Sequence, residues 1–278
     1  MSLRGFSLDG FEVRRSGRRI TIAMPECIEE LARVDPEGLP IANHGRSALR
    51  RLKLQDGRHL LLRQYRRGGL LRHINASRYL SPRRALDEIR VCREAASRGV
   101  PVPVAIGAIL EQAALFWQCW LAVEEIEDAS DLGAYLRRLP AVPTREIAVE
   151  KRLLTDALAA AIRQMHDAGL WHADLQARNI LLRRSPSGVE VFFIDLDKSR
   201  IADPLPEKRR AANLRRLNRS ILKMRLDPPP IDDDDRRRFI AAYRAGDALF
   251  GNDVSALLQG CRRHAAWHSI AWRIFRQP

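Results

Sequence analysis

The sequence predicts an α+β protein of two lobes: a small sheet-rich lobe over residues 1–125 and a larger, mainly helical lobe over residues 126–278. Three observations predict it. Strand-like runs separated by turn residues crowd the chain up to about residue 120 and are interrupted by one main helix. Beyond about residue 130 the apolar positions recur with helical spacing. Between the helical parts, the run "LWHADLQARNILL" (Leu170 to Leu182) sets a histidine, an aspartate and an asparagine between two hydrophobic elements. A chain of 278 residues with 46% hydrophobic content can bury a core in each lobe.

Taken in order, "ALRRLKL" and "RHLLLRQY" flank "QDG", and Asp-Gly between apolar runs is a strong hairpin signal. Just ahead, "NHGRSALRRL" carries Gly45 where a loop covering phosphates would precede a strand. "SPRRALDEIRVCREAASRG" reads as a helix with Ser81 as N-cap, Pro82 in the first turn and Gly99 as the stop. "VPVPVAIGAIL" and "LFWQCWLAVEEI" read as two further strands, and "AVEEIEDASDL" as the connection between lobes. Leu154, Leu158, Ala161 and Met165 then form the apolar stripe of a helix that stops at Gly169. "NILLR" and "VEVFFI" around "RSPSG" predict a hairpin that delivers Asp195 at its end. "RLDPPPIDDDDRRR", rich in proline and charge, is expected to be an exposed loop.

The loop between helix and hairpin has a chemistry attached. Phosphoryl transfer from ATP needs a carboxylate beside the attacking hydroxyl and a metal held against the phosphates. The spacing His-x-Asp-Leu-x-x-x-Asn, followed a hairpin later by Asp, is that of kinase catalytic loops. His172, Asp174, Leu175 and Asn179 reproduce it, with Ala173 in the usual arginine position. Asp174 is expected to orient the acceptor hydroxyl and take its proton. Asn179 and Asp195 are expected to offer oxygens to Mg²⁺, a hard cation. His172 is expected to organise the loop rather than carry a proton. A cation for the nucleotide phosphates is expected on the strand "HLLLRQY", where Arg63 is the candidate, held by Glu88 or else Glu94 on the following helix. Lys53 on the neighbouring strand is the alternative.

Composition excludes several classes. "MSLRGFSLDGFEVRRSG" lacks the apolar core of a secretory signal, and the most apolar stretch is broken by Glu111, Gln112 and Gln118, so a spanning helix is not expected. Cys27, Cys92, Cys119 and Cys261 have no Cys-x-x-Cys spacing, which speaks against a zinc site or a disulfide framework. A net charge of +14 predicts an anionic partner. No zinc finger or RNP aromatic pattern appears, so nucleic acid is not expected. The basic clusters "RQYRRGGLLRH", "EKRRAANLRRLNRSILKMR" and "CRRHAAWHSIAWRIFRQ" are the candidate contacts. The last alternates Arg with Trp267, Ile270, Trp272, Ile274 and Phe275, as either an interfacial helix or a helix packed on the large lobe would.

Together these runs resemble the lipopolysaccharide kinases of the Kdo/heptose group, distant relatives of eukaryotic-type protein kinases. Kdo is 3-deoxy-D-manno-octulosonic acid. The likeness is carried by "LLLRQYRRGGLL", "GVPVPVAIGA", "WHADLQARNILL…FFIDLDKSR" and "NLRRLNRSILK", and spans about residues 43 to 225. It implies a two-lobed protein-kinase-like fold with ATP and Mg²⁺ as cofactors. It also implies phosphorylation of a Kdo hydroxyl on a Kdo-lipid A glycolipid, by a peripheral protein on the anionic cytoplasmic face of the inner membrane. No obligate protein partner is implied. Arg63 stands where the group's own pattern carries arginine, whereas Ser47 departs from its second loop glycine. A heptose acceptor, a small soluble or protein substrate, and a non-catalytic membrane-surface binder remain the alternatives.

Overall fold

In "HLLLRQ" the side chains alternate between two faces, as a strand requires. Leu60 and Leu62 are fully buried on one face, and Leu61 and Arg63 take the other. That alternation organises the first of two units in the computed structural model, which describes residues 9–43, 49–65, 81–140, 142, 144–186, 188–227 and 229–244. Unit 1 comprises Met1–Arg98, Val102–Glu127 and Leu196–Ser199; unit 2 comprises Gly99–Pro101, Asp128–Asp195 and Arg200–Pro278.

Unit 1 is built on a seven-stranded antiparallel sheet: β1 (Glu12–Ser16), β2 (Arg19–Ala23), β3 (Ile41–Asn43), β4 (Leu49–Lys53), β5 (His59–Gln64), β6 (Ala105–Ala113) and β7 (Phe116–Glu124). Its order is β1-β2-β6-β7-β5-β4-β3. The expected Asp-Gly hairpin is β4–β5, with Lys53 opposite His59 and Gly57 at φ +90°. Leu60 and Leu62 pack with Ile106, Ile109 and Trp120, covered by Ile28 and Leu31 of the short helix α1 (Ile28–Arg33). Helix α2 (Arg83–Ser97) buries Ala85, Leu86, Glu88, Ile89, Cys92 and Ala95 and packs on β6 and β7. Gly107 is required where β6 pairs with β2, because a Cβ there would lie 2.3 Å from the Ile22 carbonyl oxygen. Cys27, Cys92 and Cys119 are buried free thiols, and burial pushes Cys119 up to about 12.

Two expectations for this region need correction. "VPVPV" is not a strand: β6 begins at Ala105, since Pro101 and Pro103 have no amide to donate to a ladder. Helix α2 begins at Arg83 after Pro82, and the Ser81 hydroxyl accepts only a 3.3 Å bond from the Arg83 amide instead of capping the helix.

Unit 2 contains α3 (Leu132–Arg138), α4 (Arg145–Asp167), α5 (Glu207–Leu222) and α6 (Asp233–Arg244), with β8 (Ser130–Asp131), β9 (Leu170–Trp171), β10 (Ile180–Ser185), β11 (Gly188–Phe193) and β12 (Arg200–Ile201). The sheets are β11-β10-β8 and β12-β9. Asp131 and Thr144 cap α3 and α4 by accepting from the Ala134 and Ile147 amides at 2.8 and 3.4 Å. The stripe Leu154, Leu158, Ala161, Met165 is buried as expected. Gly169 ends α4 at φ +83°; its missing Cβ also makes room for the Ala202 carbonyl, which would otherwise stand 2.3 Å away. Gly99–Pro101 joins this unit through Gln164 Nε2 donating to the Gly99 carbonyl (2.7 Å) and the Phe193 amide donating to that of Pro101 (2.9 Å).

The run "DDDDRRR" is not wholly a loop. Asp232 Oδ1 accepts from the Asp235 amide at 2.8 Å and Asp235 Oδ2 accepts from the Asp232 amide at 2.9 Å, the reciprocal bonds of a capping box. Three aspartates in the first turn complement the helix dipole, and Lys151 pairs with Asp235 at 2.5 Å. Helix α6 follows, not the exposed loop that charge and proline suggested.

Candidate active site

Residues Asn213, Arg216 and Ser220 recur at spacings of three and four on α5 and therefore share one face. That face holds the loop after β9. Asn213 Nδ2 donates to the His172 carbonyl (2.6 Å), while Asn213 Oδ1 accepts from the His172 amide (3.2 Å). Ser220 Oγ accepts from the Ala177 amide at 3.0 Å. Arg216 Nη1 donates to Asp174 Oδ1.

His172 is fully buried and has both ring nitrogens engaged. Nε2–H donates to the Ile194 carbonyl at 3.0 Å, so Nδ1 is the acceptor for the Asp174 amide at 3.1 Å. Burial lowers its pKa, which keeps this neutral tautomer in place. Behind it lies His166, also fully buried. Its Nε2–H faces Asn213 Oδ1 at 3.3 Å and its Nδ1 accepts from the Tyr243 hydroxyl at 2.7 Å. Burial brings His166 down to about 3, against the weaker opposing effect of the Asn213 bond. A chain of side chains thus runs from α6 through α4 and α5 to the loop.

Asp174 is the group this scaffold presents. Burial alone would raise its pKa, but hydrogen bonds from Gln176 and Arg216, with the charges of Arg216 and Arg178, outweigh that and hold it below the ordinary carboxylate range. It is ionised and oriented at neutral pH, as a group that receives a hydroxyl proton must be.

Asn179 Nδ2 donates to the Asp174 carbonyl at 2.8 Å, which fixes the amide and leaves Oδ1 as its acceptor. The Ile194 amide donates to the Asn179 carbonyl at 3.0 Å, so the hairpin β10–β11 brings Asn179 and Asp195 to the same end. Asp195 sits at φ +62°, a left-handed conformation uncommon for a residue with a Cβ and often found at functional positions. One amide oxygen and one carboxylate suit Mg²⁺, which takes few protein oxygens and completes its shell with water and phosphate. Among the described residues no cluster of three His, Cys, Asp or Glu could hold a metal alone.

In unit 1, Arg63 Nη2 donates to both oxygens of Glu88 at 2.6 and 2.7 Å, and the Tyr65 hydroxyl donates to Glu88 Oε2. Glu88 is 3% exposed, so its charge is compensated inside the sheet–helix contact. Arg63 and Arg84 lie over the Tyr65 ring at 4.9 and 5.4 Å, and Arg84 grips Asp197, two residues past Asp195, through both carboxylate oxygens. Glu94 pairs instead with Arg98 at 2.9 Å, and Lys53 is exposed with no ion pair among the described residues. Gly45, Ser47, Trp267 and Trp272 lie outside the described residues.

Sequence reading brought Asp174, Asn179 and Asp195 together in one loop and hairpin, and Arg63 with Glu88 in another pairing. It gave no place in the site to Gln176, Arg178, Asn213 and Arg216. The spacing of Asn213, Arg216 and Ser220 in "NLRRLNRSILK" was the available signal.

Residues 42–243 match the model of the lipopolysaccharide kinase (Kdo/WaaP) family. This chain belongs to that family. Among the relatives of this lipopolysaccharide kinase, a protein of Xylella fastidiosa (strain M12) described as 3-deoxy-D-manno-octulosonic acid kinase is 33% identical over 190 residues, 67% of this chain and 70% of that one. A protein of the same description from Mannheimia succiniciproducens is 34% identical over 186 residues, 64% of this chain and 73% of its own. The solved structure described as WaaP in complex with acyl carrier protein aligns with a TM-score of 0.58 at 21% identity, covering 86% of this chain and 90% of that one, and so shares the kinase-like α+β fold. The lipopolysaccharide kinase is accordingly a phosphotransferase acting on a hydroxyl acceptor.

Proposed function

We propose that this kinase transfers the γ-phosphoryl group of ATP to a hydroxyl of Kdo on a Kdo-lipid A acceptor. The observation that carries the reading is Asp174: an ionised carboxylate presented by a loop whose other members are locked, in a chain about a third identical to several proteins described as Kdo kinases. Asp174 orients the acceptor hydroxyl and receives its proton as the new bond forms. Asn179 Oδ1 and the Asp195 carboxylate hold Mg²⁺, which when bound neutralises phosphate oxygens. Arg63, steadied by Glu88, contacts the phosphates of the nucleotide.

The acceptor is anchored by acyl chains, and no helix among the described residues is long and apolar enough to cross a membrane. The net charge of +14 supports docking from the cytoplasmic side onto anionic lipid, where each Lys or Arg near the surface contributes about 1 kcal/mol. Incubating purified enzyme and ATP with Kdo-lipid A, followed by mass spectrometry, tests the reading. A gain of one phosphoryl group mapped to the Kdo fragment is expected. No gain on Kdo, or a gain only on a heptose-bearing acceptor, would overturn it.

A further inference from the structure

The two guanidinium groups beside Asp174 have capacity that the protein itself does not use. Arg216 donates Nη1 to Asp174 Oδ1, and Arg178 donates Nη2 to Asp174 Oδ2 at 3.3 Å. Neither makes another hydrogen bond among the described residues. Both side chains are half exposed, at 50% each, while Asp174 between them is 29% exposed. A guanidinium presents five donors in a planar fork, so each arginine keeps most of its donors directed at solvent.

Their backbones, by contrast, are fixed. Arg216 stands between Asn213 and Ser220, both bonded to the loop, and Arg178 lies in the short 3-10 turn Ala177–Asn179 that Ser220 and Asn179 secure. Two cations on rigid supports, converging on one small carboxylate, exceed what orienting that carboxylate requires, since Gln176 already donates to it. Doubling the positive charge also lowers the basicity of a group meant to accept a proton, a cost without return unless the arginines serve a second anion.

We propose that Arg178 and Arg216 form a clamp for the carboxylate of the acceptor sugar, making them the residues that select an acidic sugar over a neutral one. The clamp rests on the Kdo reading above. A carboxylate on the same sugar ring as the attacked hydroxyl would be gripped by the outer donors of both forks, while their inner donors stay on Asp174. That geometry sets the hydroxyl against the base by a shared pair of anchors. The same oxyanion chemistry is offered by the γ-phosphate of the nucleotide. We assign the clamp to the acceptor because both arginines bind the residue that faces the acceptor, and Arg63 and Mg²⁺ already serve the phosphates.

The test crosses enzyme and substrate. Wild type and R178Q/R216Q are each given Kdo-lipid A and the same acceptor with the Kdo carboxyl reduced to a primary alcohol. Charge-assisted hydrogen bonds of this kind predict that reduction costs the wild type about 10- to 100-fold in kcat/KM. The double variant should lose no more than about 3-fold on reduction, because the anion it would miss is one it no longer holds. The KM for ATP should stay within about twofold of wild type. R178K/R216K, which keeps the charge and loses the fork, should fall between. If the double variant is inactive or does not fold, R178Q alone carries the same comparison. An equal penalty for reduction in wild type and variant, or a raised KM for ATP with an equal penalty, overturns the clamp. Failure of wild type to phosphorylate unmodified Kdo-lipid A would instead overturn the substrate reading itself.

Discussion

His166 makes unit 2 sensitive to acid in a way that can be worked out. It is fully buried, donates to Asn213, accepts from Tyr243, and feels the positive charge of Arg210. Its pKa falls from 6.5 to about 3 on folding. A depressed pKa means the unfolded chain binds the proton more readily, so the folded state is favoured above pH 6.5 and loses that advantage as pH falls toward 3. Between pH 7.5 and pH 5.0 the loss from this one residue is about 2 kcal/mol, rising to roughly 4 kcal/mol at pH 3. His172 adds to it in the same direction. Urea unfolding at pH 7.5, 6.5 and 5.0, read by hydrogen exchange of peptides spanning residues 158–174, would measure it within unit 2. H166Q keeps a donor and an acceptor but does not titrate. It should be less stable at pH 7.5, yet its stability should fall by about 2 kcal/mol less than wild type by pH 5.0. Parallel losses in wild type and H166Q would refute the assignment of the acid sensitivity to this imidazole.

Three further outcomes are expected. D174A should lower turnover by at least 10²-fold while leaving ATP binding intact, and D195A should in addition weaken the Mg²⁺-dependent part of nucleotide binding; wild-type turnover in either folded variant, by a coupled ADP assay, would refute these roles. R63A should raise the KM for ATP and destabilise unit 1 by about 3 kcal/mol, since it removes a cation from the buried Glu88, and R63K should restore only part of both; greater damage from K53A would reassign the phosphate contact. The protein should bind anionic liposomes better than neutral ones and be stripped by high salt, because surface attraction is screened within about 10 Å at 0.1 M; equal binding to both, by flotation, would remove electrostatic docking, and W267A/W272A reports whether those indoles insert.

The parts of the site that could be read in sequence are those set by local spacing. Asp174 and Asn179 stand five positions apart in one turn, and the hairpin that carries Asp195 follows at once. Arg63 and Glu88 could be paired because strand alternation and helix periodicity each indicated an inward face. Arg216 and Asn213 meet the loop across 42 and 41 positions, a distance at which periodicity is silent about partners. The hairpin of β1 and β2 went unread because β1 is exposed along its whole length and shows no apolar alternation. Helix α6 was hidden by its own cap: the acidic and basic residues that suggest solvated loop are the ones bonding to its first turn and to Lys151.

The dependence of the loop on α5 has a consequence for synthesis. A nascent chain that has reached Asn179 already holds every residue of the His-x-Asp-Leu-x-x-x-Asn signature, yet none of the α5 anchors that keep it in place. Asn213, Arg216 and Ser220 must still emerge, and Tyr243 after them, before His166 has both its partners. Unit 1 likewise lacks Leu196–Ser199, with the Asp197 that Arg84 grips, until the ribosome has passed the hairpin. Because domains tend to fold from the N-terminus as they are made, catalytic competence is acquired late, well after the residues that perform it have been polymerised. Premature stop codons between Asn179 and the start of α5 should therefore yield fragments with a complete signature and no activity.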